Sequence, residues 1–216
     1  MLGLLKSGNH QEVLASLRAL PFSQVINNLF SFLYHGDEIV KWTAVSVMGA
    51  LVSAMADEDM EAARVILRRL MWNLNDESGG IGWGSPQAMG EILAQHEGLA
   101  REYAHLLISY AREDGSYLEE ERLQRGLLWG LGRLAQERPQ LLDDAKALLP
   151  PYLASQDPIV RGLAAWTVGL LGAHGAKKDL EPLLADDRRI KVYVDHKLVD
   201  CLVKDIAIEA LRKLTS

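Results

Sequence analysis

The most constraining feature of this chain is a segment that repeats along it. Asp37-Glu-Ile-Val-Lys-Trp-Thr-Ala-Val-Ser-Val-Met-Gly49 aligns with Asp157-Pro-Ile-Val-Arg-Gly-Leu-Ala-Ala-Trp-Thr-Val-Gly169. With the opening Asp as register 0, both carry Val at 3, a base at 4, Ala at 7 and Gly at 12. The frame returns from Glu120 (Leu123, Leu127, Gly132), from Ser78 (Ile81, Gly90) and from Asp200 (Val203, Lys204, Ala207, Leu211). Starts at 37, 78, 120, 157 and 200 are 41, 42, 37 and 43 residues apart. A repeat of this length is one supersecondary unit that buries its apolar side only by stacking on its neighbours.

Between the copies lie second stretches with apolar residues at i, i+3, i+4 and i+7, the period of an amphipathic helix. They cover Phe22–Tyr34, Met60–Leu74, Leu99–Tyr110, Leu141–Leu153 and Asp179–Leu184. Each unit is therefore expected to be helix A, a turn, and helix B opened by an acidic N-cap. Gly36, Pro139 and Gly175 punctuate the boundaries. Pro150, Pro151 and Pro182 predict short or kinked A helices in the last two units. Gln11–Leu20 is expected to cap the N-terminal end of the stack. Register-12 glycines 49, 90, 132 and 169 are expected where B helices approach a neighbour closely. Ile190-Lys-Val-Tyr-Val194 alternates with β-branched residues and reads as a strand, turned by Asp195-His196 into Lys197-Leu-Val199. A small β-hairpin near 190–199 is expected there, with an extended loop as the alternative.

The Asp-x-x-Val-(Arg/Lys)-x-x-Ala-x-x-x-x-Gly pattern resembles the HEAT-like repeat family, of the kind first named in phycobilisome lyases, and extends over residues 22–214. The resemblance implies an all-α solenoid of about five helical pairs, a single domain over 1–216, with the N-terminal capping helix and the hairpin as additions. For function it implies little, since such repeats occur in bilin lyases, DNA-alkylation glycosylases, deoxyhypusine hydroxylases and scaffold proteins. It also implies that the register-4 bases Lys41, Arg161 and Lys204 form a structural ladder, each reaching the register-0 Asp of a neighbouring unit.

Composition narrows these classes. The 216 residues are 49% hydrophobic and 24% charged, enough for a folded core and unlike a disordered chain. Net charge is −6, which argues against nucleic acid and anionic membranes as partners. The single cysteine, Cys201, rules out an intrachain disulfide framework; it reads as a small packed residue in a reducing, cytoplasmic setting. No signal-peptide pattern is read at the N-terminus, and no apolar run is read as approaching a membrane span. Deoxyhypusine hydroxylases pair His-Glu dipeptides on successive repeats; only His96-Glu97 occurs here. His196 and Asp200 stand four apart, but two ligands do not make a metal site. No catalytic residue, metal site or cofactor is expected.

Two features point to binding. Asp76-Glu-Ser-Gly-Gly-Ile-Gly-Trp-Gly-Ser-Pro86 carries four glycines where a B helix should begin, so the helix is expected to start later, with Ser85 as N-cap and Pro86 at N1. The stretch before it reads as a binding loop bearing Asp76, Glu77 and Trp83, or as a locally shortened helix, or as a catalytic loop. Four tryptophans also fall in B segments, Trp42 and Trp83 at register 5 and Trp129 and Trp166 at register 9. At 100° per residue these registers point away from the core, toward the concave side of a solenoid. The alternative is that a tightly curved array packs the rings as extra core. Trp42, Trp83, Trp129, Trp166, Asp76, Glu77 and Arg125 form the candidate partner-binding set. The expected function is a non-enzymatic scaffold that binds a protein or peptide in a Trp-lined groove. The rival, implied by resemblance to bilin lyases, is lyase- or chaperone-like handling of a tetrapyrrole or another flat aromatic group.

Overall fold

A computed structural model describes residues 1–75 and 82–215. Along the chain run α1 (Leu2–Lys6), α2 (His10–Arg18), α3 (Phe22–Phe32), α4 (Glu38–Glu58), α5 (Met60–Asn75), α6 (Ser85–Gln95), α7 (Glu97–Ser109) and α8 (Glu121–Glu137). Then follow α9 (Pro150–Leu153), α10 (Pro158–Leu171), α11 (Lys177–Leu180), the strands β1 (Arg189–Val194) and β2 (Lys197–Leu202), and α12 (Val203–Thr215). The B helices α4, α6, α8, α10 and α12 pack one on the next in a single layer, and α3, α5 and α7 pair with them from outside. This is the all-α solenoid of paired helices, with a two-stranded antiparallel hairpin near the C-terminus.

Local chemistry sets the boundaries. Asp37 accepts the Ile39 N–H at 2.9 Å and Asp157 the Ile159 N–H at 2.7 Å. Glu120 accepts the Leu123 N–H at 3.0 Å, so the register-0 acids cap α4, α10 and α8. The proline-bearing outer segments break as expected: 139–141, 143–148 and 181–185 are 3-10 turns around the short α9 and α11. Outside the N-terminal capping helix α2, the short α1 adds a turn that the sequence pattern did not disclose.

Helix α4 corrects one expectation. It is 21 residues long and apolar enough, by length and composition, to cross a membrane. Here it is the enclosed B helix of the first pair, with every residue from Trp42 to Gly49 buried. A stretch enclosed by its neighbours needs no polar face, which is why the middle of α4 is apolar on every side.

The register-12 glycines sit at the B-helix crossings. A Cβ on Gly90 would lie 2.3 Å from the Gly130 Cα, and one on Gly169 would lie 2.8 Å from the Ala210 Cα. At Gly49 it would meet Glu91, and at Gly132 the Trp166 ring. The close approach is therefore real at all four.

The hairpin replaces the start expected for the last B helix. Asp200, the N-cap expected from the repeat register, instead pairs with Lys191 inside β2, and α12 begins only at Val203. The Val203 and Lys204 N–H groups donate instead to the Arg188 and Asp186 carbonyls at 3.0 Å. Asp195 and His196 both adopt positive φ (48° and 61°), the left-handed pair that a tight two-residue hairpin turn requires. Cys201 lies half-buried in β2.

Candidate functional site

The curvature of the B layer is visible in two rings. Trp42 on α4 and Trp129 on α8 stand 4.7 Å apart, centroid to centroid, although α6 lies between their helices. Side chains two helices apart meet only on the inner side of a curve, so Trp42 at register 5 and Trp129 at register 9 face that side. That surface is covered. Tyr193 of β1 stacks on Trp42 at 4.7 Å with an interplanar angle of 9°, and the Trp129 Nε1–H donates to the Tyr193 carbonyl at 2.8 Å. The Tyr193 hydroxyl is 3.0 Å from Ser46 Oγ. Trp42 is 8%, Trp129 2% and Tyr193 7% exposed. Burial drives the Tyr193 phenol pKa upward, against the opposing hydrogen bond from Ser46.

The hairpin crosses the inner face from the C-terminal repeats to the N-terminal cap. At its base, Ile190 fills the space over Gly162, where a Cβ would sit 2.3 Å from Ile190 Cδ1. Gly162 occupies register 5, where earlier units carry Trp42, Trp83 and Arg125. At the tip, His196 stacks on His10 of α2 at 4.0 Å. Burial lowers the His10 pKa first, and the facing His196 lowers it further. Burial raises that of the Cys201 thiol, so the lone cysteine is a poor nucleophile.

Beside β1 the inner face opens into a cavity of about 440 Å³. Its walls are the aromatic faces of Trp42, Trp83, Trp129 and Tyr193 with Lys41, Arg122, Arg125 and Lys191. The Lys41 ammonium sits 4.7 Å from the Trp42 ring centroid, and the Arg122 guanidinium 4.4 Å from that of Trp83. Burial pushes the Lys41 pKa down against the opposing charge of Glu38, and Arg125 and Arg122 add to the fall. Gly84, which precedes α6, and Gln87 in its first turn also line the cavity. Gly84 takes φ +86°, and a Cβ there would lie 2.3 Å from the Leu33 carbonyl oxygen. It also displaces Ser85 as N-cap: α6 begins at Ser85, with Pro86 in its first turn.

The candidate residues thus separate. Trp42, Trp83, Trp129 and Arg125 converge on this cavity, the first and third buried under the hairpin. Trp166 does not join them; it packs over Gly132 and lines a separate depression between α10 and α12. Asp76 and Glu77, and the glycine-rich stretch up to Ile81, lie outside the described residues. Arg125 has a structural bond as well, its Nε donating to Asp157 at 2.8 Å. Burial works to raise the Asp157 pKa, but Arg125 and the Ile159 and Val160 N–H groups outweigh it and hold the carboxyl below its ordinary value.

This corrects the ladder. The rung on Asp157 comes from register 5, not register 4; Arg161 reaches Asp186 at 2.9 Å, and Lys204 pairs with Asp187. Lys41 has no aspartate partner among the described residues and turns into the cavity instead. Tyr193 and Lys191 were missed because their hairpin meets α4 some 150 residues away in sequence. Their only local signal was an aromatic and a cation in the strand Ile190–Val194. Among the described residues no group of three or more His, Cys, Asp or Glu is placed to hold a metal ion.

Comparison with known proteins places this geometry. A family model described as HEAT-like repeat matches residues 121–171, the α8-to-α10 unit. The fold is that of HEAT- and armadillo-type repeat solenoids, and residues 121–171 carry a HEAT-like repeat. Over 114 residues (51% of the chain) it is 33% identical to an uncharacterized protein of Archaeoglobus fulgidus, and that match covers 54% of the archaeal protein. The chain thus spans about half the length of that relative. Among solved structures, it is similar to a designed armadillo repeat protein in complex with the peptide (KR)4: TM-score 0.57, 18% identity, 99% of this chain and 97% of that one. Computationally designed armadillo repeat proteins for modular peptide recognition are similar at TM-score 0.55 and 17% identity, covering 98% and 97%. An engineered protein aligns at TM-score 0.58 and 19% identity, covering 99% and 89%.

Proposed function

We propose that this chain is a non-enzymatic scaffold that holds an extended peptide segment of a partner protein on its inner face, in the cavity beside β1. The observation that carries this reading is the seat of the hairpin itself. Concave side chains already hold an extended strand there, Trp42 by stacking on Tyr193 and Trp129 by a hydrogen bond to a main-chain carbonyl. Stacking on aromatic faces together with side-chain bonds to the backbone is how grooves hold extended peptides. The adjoining cavity lies within the ~300–1,000 Å³ range typical of ligand sites. The designed armadillo neighbours described for peptide recognition agree with the reading at the level of the fold.

Peptide-phage selection on the immobilised full chain tests it. Enriched peptides are expected to lose about tenfold or more in affinity, some 1.4 kcal/mol, when Trp83→Ala removes a half-buried wall of the cavity. Trp72→Ala, on the outer helix α5 and 72% exposed, should have no effect. Peptides that depend on Trp72 and ignore Trp83 would put the binding face on the wrong side of the solenoid.

A further inference from the structure

The cavity has an unusual charge for this protein. The chain carries a net −6, yet four cations line the cavity against one carboxylate, Glu38. Glu38 lies 3.8 Å from the Lys191 ammonium, and Asp157 behind the wall is bound by Arg125. Lys41 and Arg122 are left with no carboxylate within ion-pair distance among the described residues; each rests on an indole ring instead. Cation–π contacts compensate a partly desolvated charge only in part, about 0.5–2 kcal/mol each. Lys41 is the more costly of the two, since it is the one withdrawn from water. Like charges on α4 and α8 therefore line one space, with Glu38 as its single carboxylate. Two further observations sit on the same wall. The α6 N-terminus has no side-chain cap among the described residues, so its main-chain dipole adds positive potential there. Gln87, 6% exposed, has an amide oxygen with no hydrogen-bond partner; it is an acceptor turned toward Gly126 of α8 and contributes nothing to holding an anion.

We propose that the cavity is an anion pocket for the carboxylate side chains of an acidic peptide, with Lys41 and Arg122 as the groups that meet them. This rests on the scaffold reading above and names its ligand. The arrangement fits a peptide carboxylate for three reasons. Arg122 is exposed and Lys41 lies deeper, so an acidic side chain entering from the mouth meets both in turn. The half-buried Trp83 ring on the cavity wall accepts the apolar part of such a residue or its neighbour. Strand β1 beside the cavity shows that extended backbone fits the inner face. The preference is opposite in charge to the (KR)4 peptide held by the designed armadillo relative.

The test is the charge of what binds. Peptides selected on the full chain should be net acidic, and a labelled acidic peptide should lose about tenfold or more in affinity by fluorescence anisotropy with Arg122→Glu or Lys41→Met. Its affinity should also fall steeply as NaCl rises from about 50 to about 500 mM. Arg122 is solvent-exposed, so its variant tests the charge without endangering the fold. Neutral or basic peptides that bind through Trp83 would overturn this inference and leave the scaffold reading standing. Absence of any bound peptide would sink both. Inorganic phosphate that binds as tightly as every acidic peptide would make the cavity a free-anion site and refute the proposal. So would a phosphoserine peptide binding tenfold tighter than its glutamate counterpart.

Discussion

Gly90→Ala is the smallest change that challenges the packing of the inner layer. The added methyl carbon would stand 2.3 Å from the Gly130 Cα and 2.6 Å from its carbonyl oxygen. Carbon–carbon contacts are optimal near ~3.5–4.0 Å, so α6 and α8 must part by more than about 1 Å. The obstacle is backbone on both sides, and no rotamer change relieves it. Overpacking of a tight core costs ~1–3 kcal/mol, and a backbone collision belongs at the top of that range. Alanine's better helix propensity returns ~1 kcal/mol. The net expectation is a loss of about 2 kcal/mol, or roughly 4–8 °C in Tm for a chain of this size. Differential scanning calorimetry and urea titration measure it against Gly3→Ala in α1, where nothing lies within 4 Å of the new Cβ and the change should be neutral or stabilising. Gly130→Ala meets the Pro86 carbonyl oxygen at 2.6 Å, so the double variant should cost less than the two singles together. Gly90→Ala as stable as wild type would refute the inferred contact between α6 and α8.

Two further outcomes follow from the hairpin's seat. Trp129→Ala empties a nearly closed site and leaves the Tyr193 carbonyl unbonded, so it should cost ~3–5 kcal/mol in urea unfolding; a loss under about 1 kcal/mol would mean the ring is not core. His10, buried against His196, binds a proton less readily in the folded chain than in the unfolded one. The unfolded state therefore takes up more protons as pH falls below about 6.5, and stability is full above that value and lost on acidification. The urea midpoint should fall between about pH 7.5 and 5.5, and His10→Gln should flatten the dependence; an unchanged slope would place the acid sensitivity elsewhere.

The elements were legible because each has a local signature. Asp37 and Asp157 announce helix starts that their side chains do cap, and Ile190–Val194 shows a strand's alternation. Prolines 150, 151 and 182 announce the broken outer helices. Helical register also assigned Trp42 and Trp129 to the inner face. It does not say what lies over that face, because this is decided by curvature and by a hairpin from the far end of the chain. The same limit misplaced Asp200: as register 0 it matches a cap, but the strand's pairing with Lys191 carries it past the helix start. Lys41 fits a ladder in one dimension, but the next unit opens at Ser78 instead of an aspartate, and Lys41 lines the cavity; the rung on Asp157 comes from Arg125 at register 5 of the preceding unit.

Hydrogen–deuterium exchange of the full chain, with and without a selected acidic peptide, tests the binding account most directly. The account predicts added protection on the five segments that wall the cavity: Leu33–Trp42, Trp83–Gln87, Arg122–Trp129, Ile159–Leu163 and β1. Protection confined to the outer helix α5 around Trp72, with the inner segments unchanged, would contradict it.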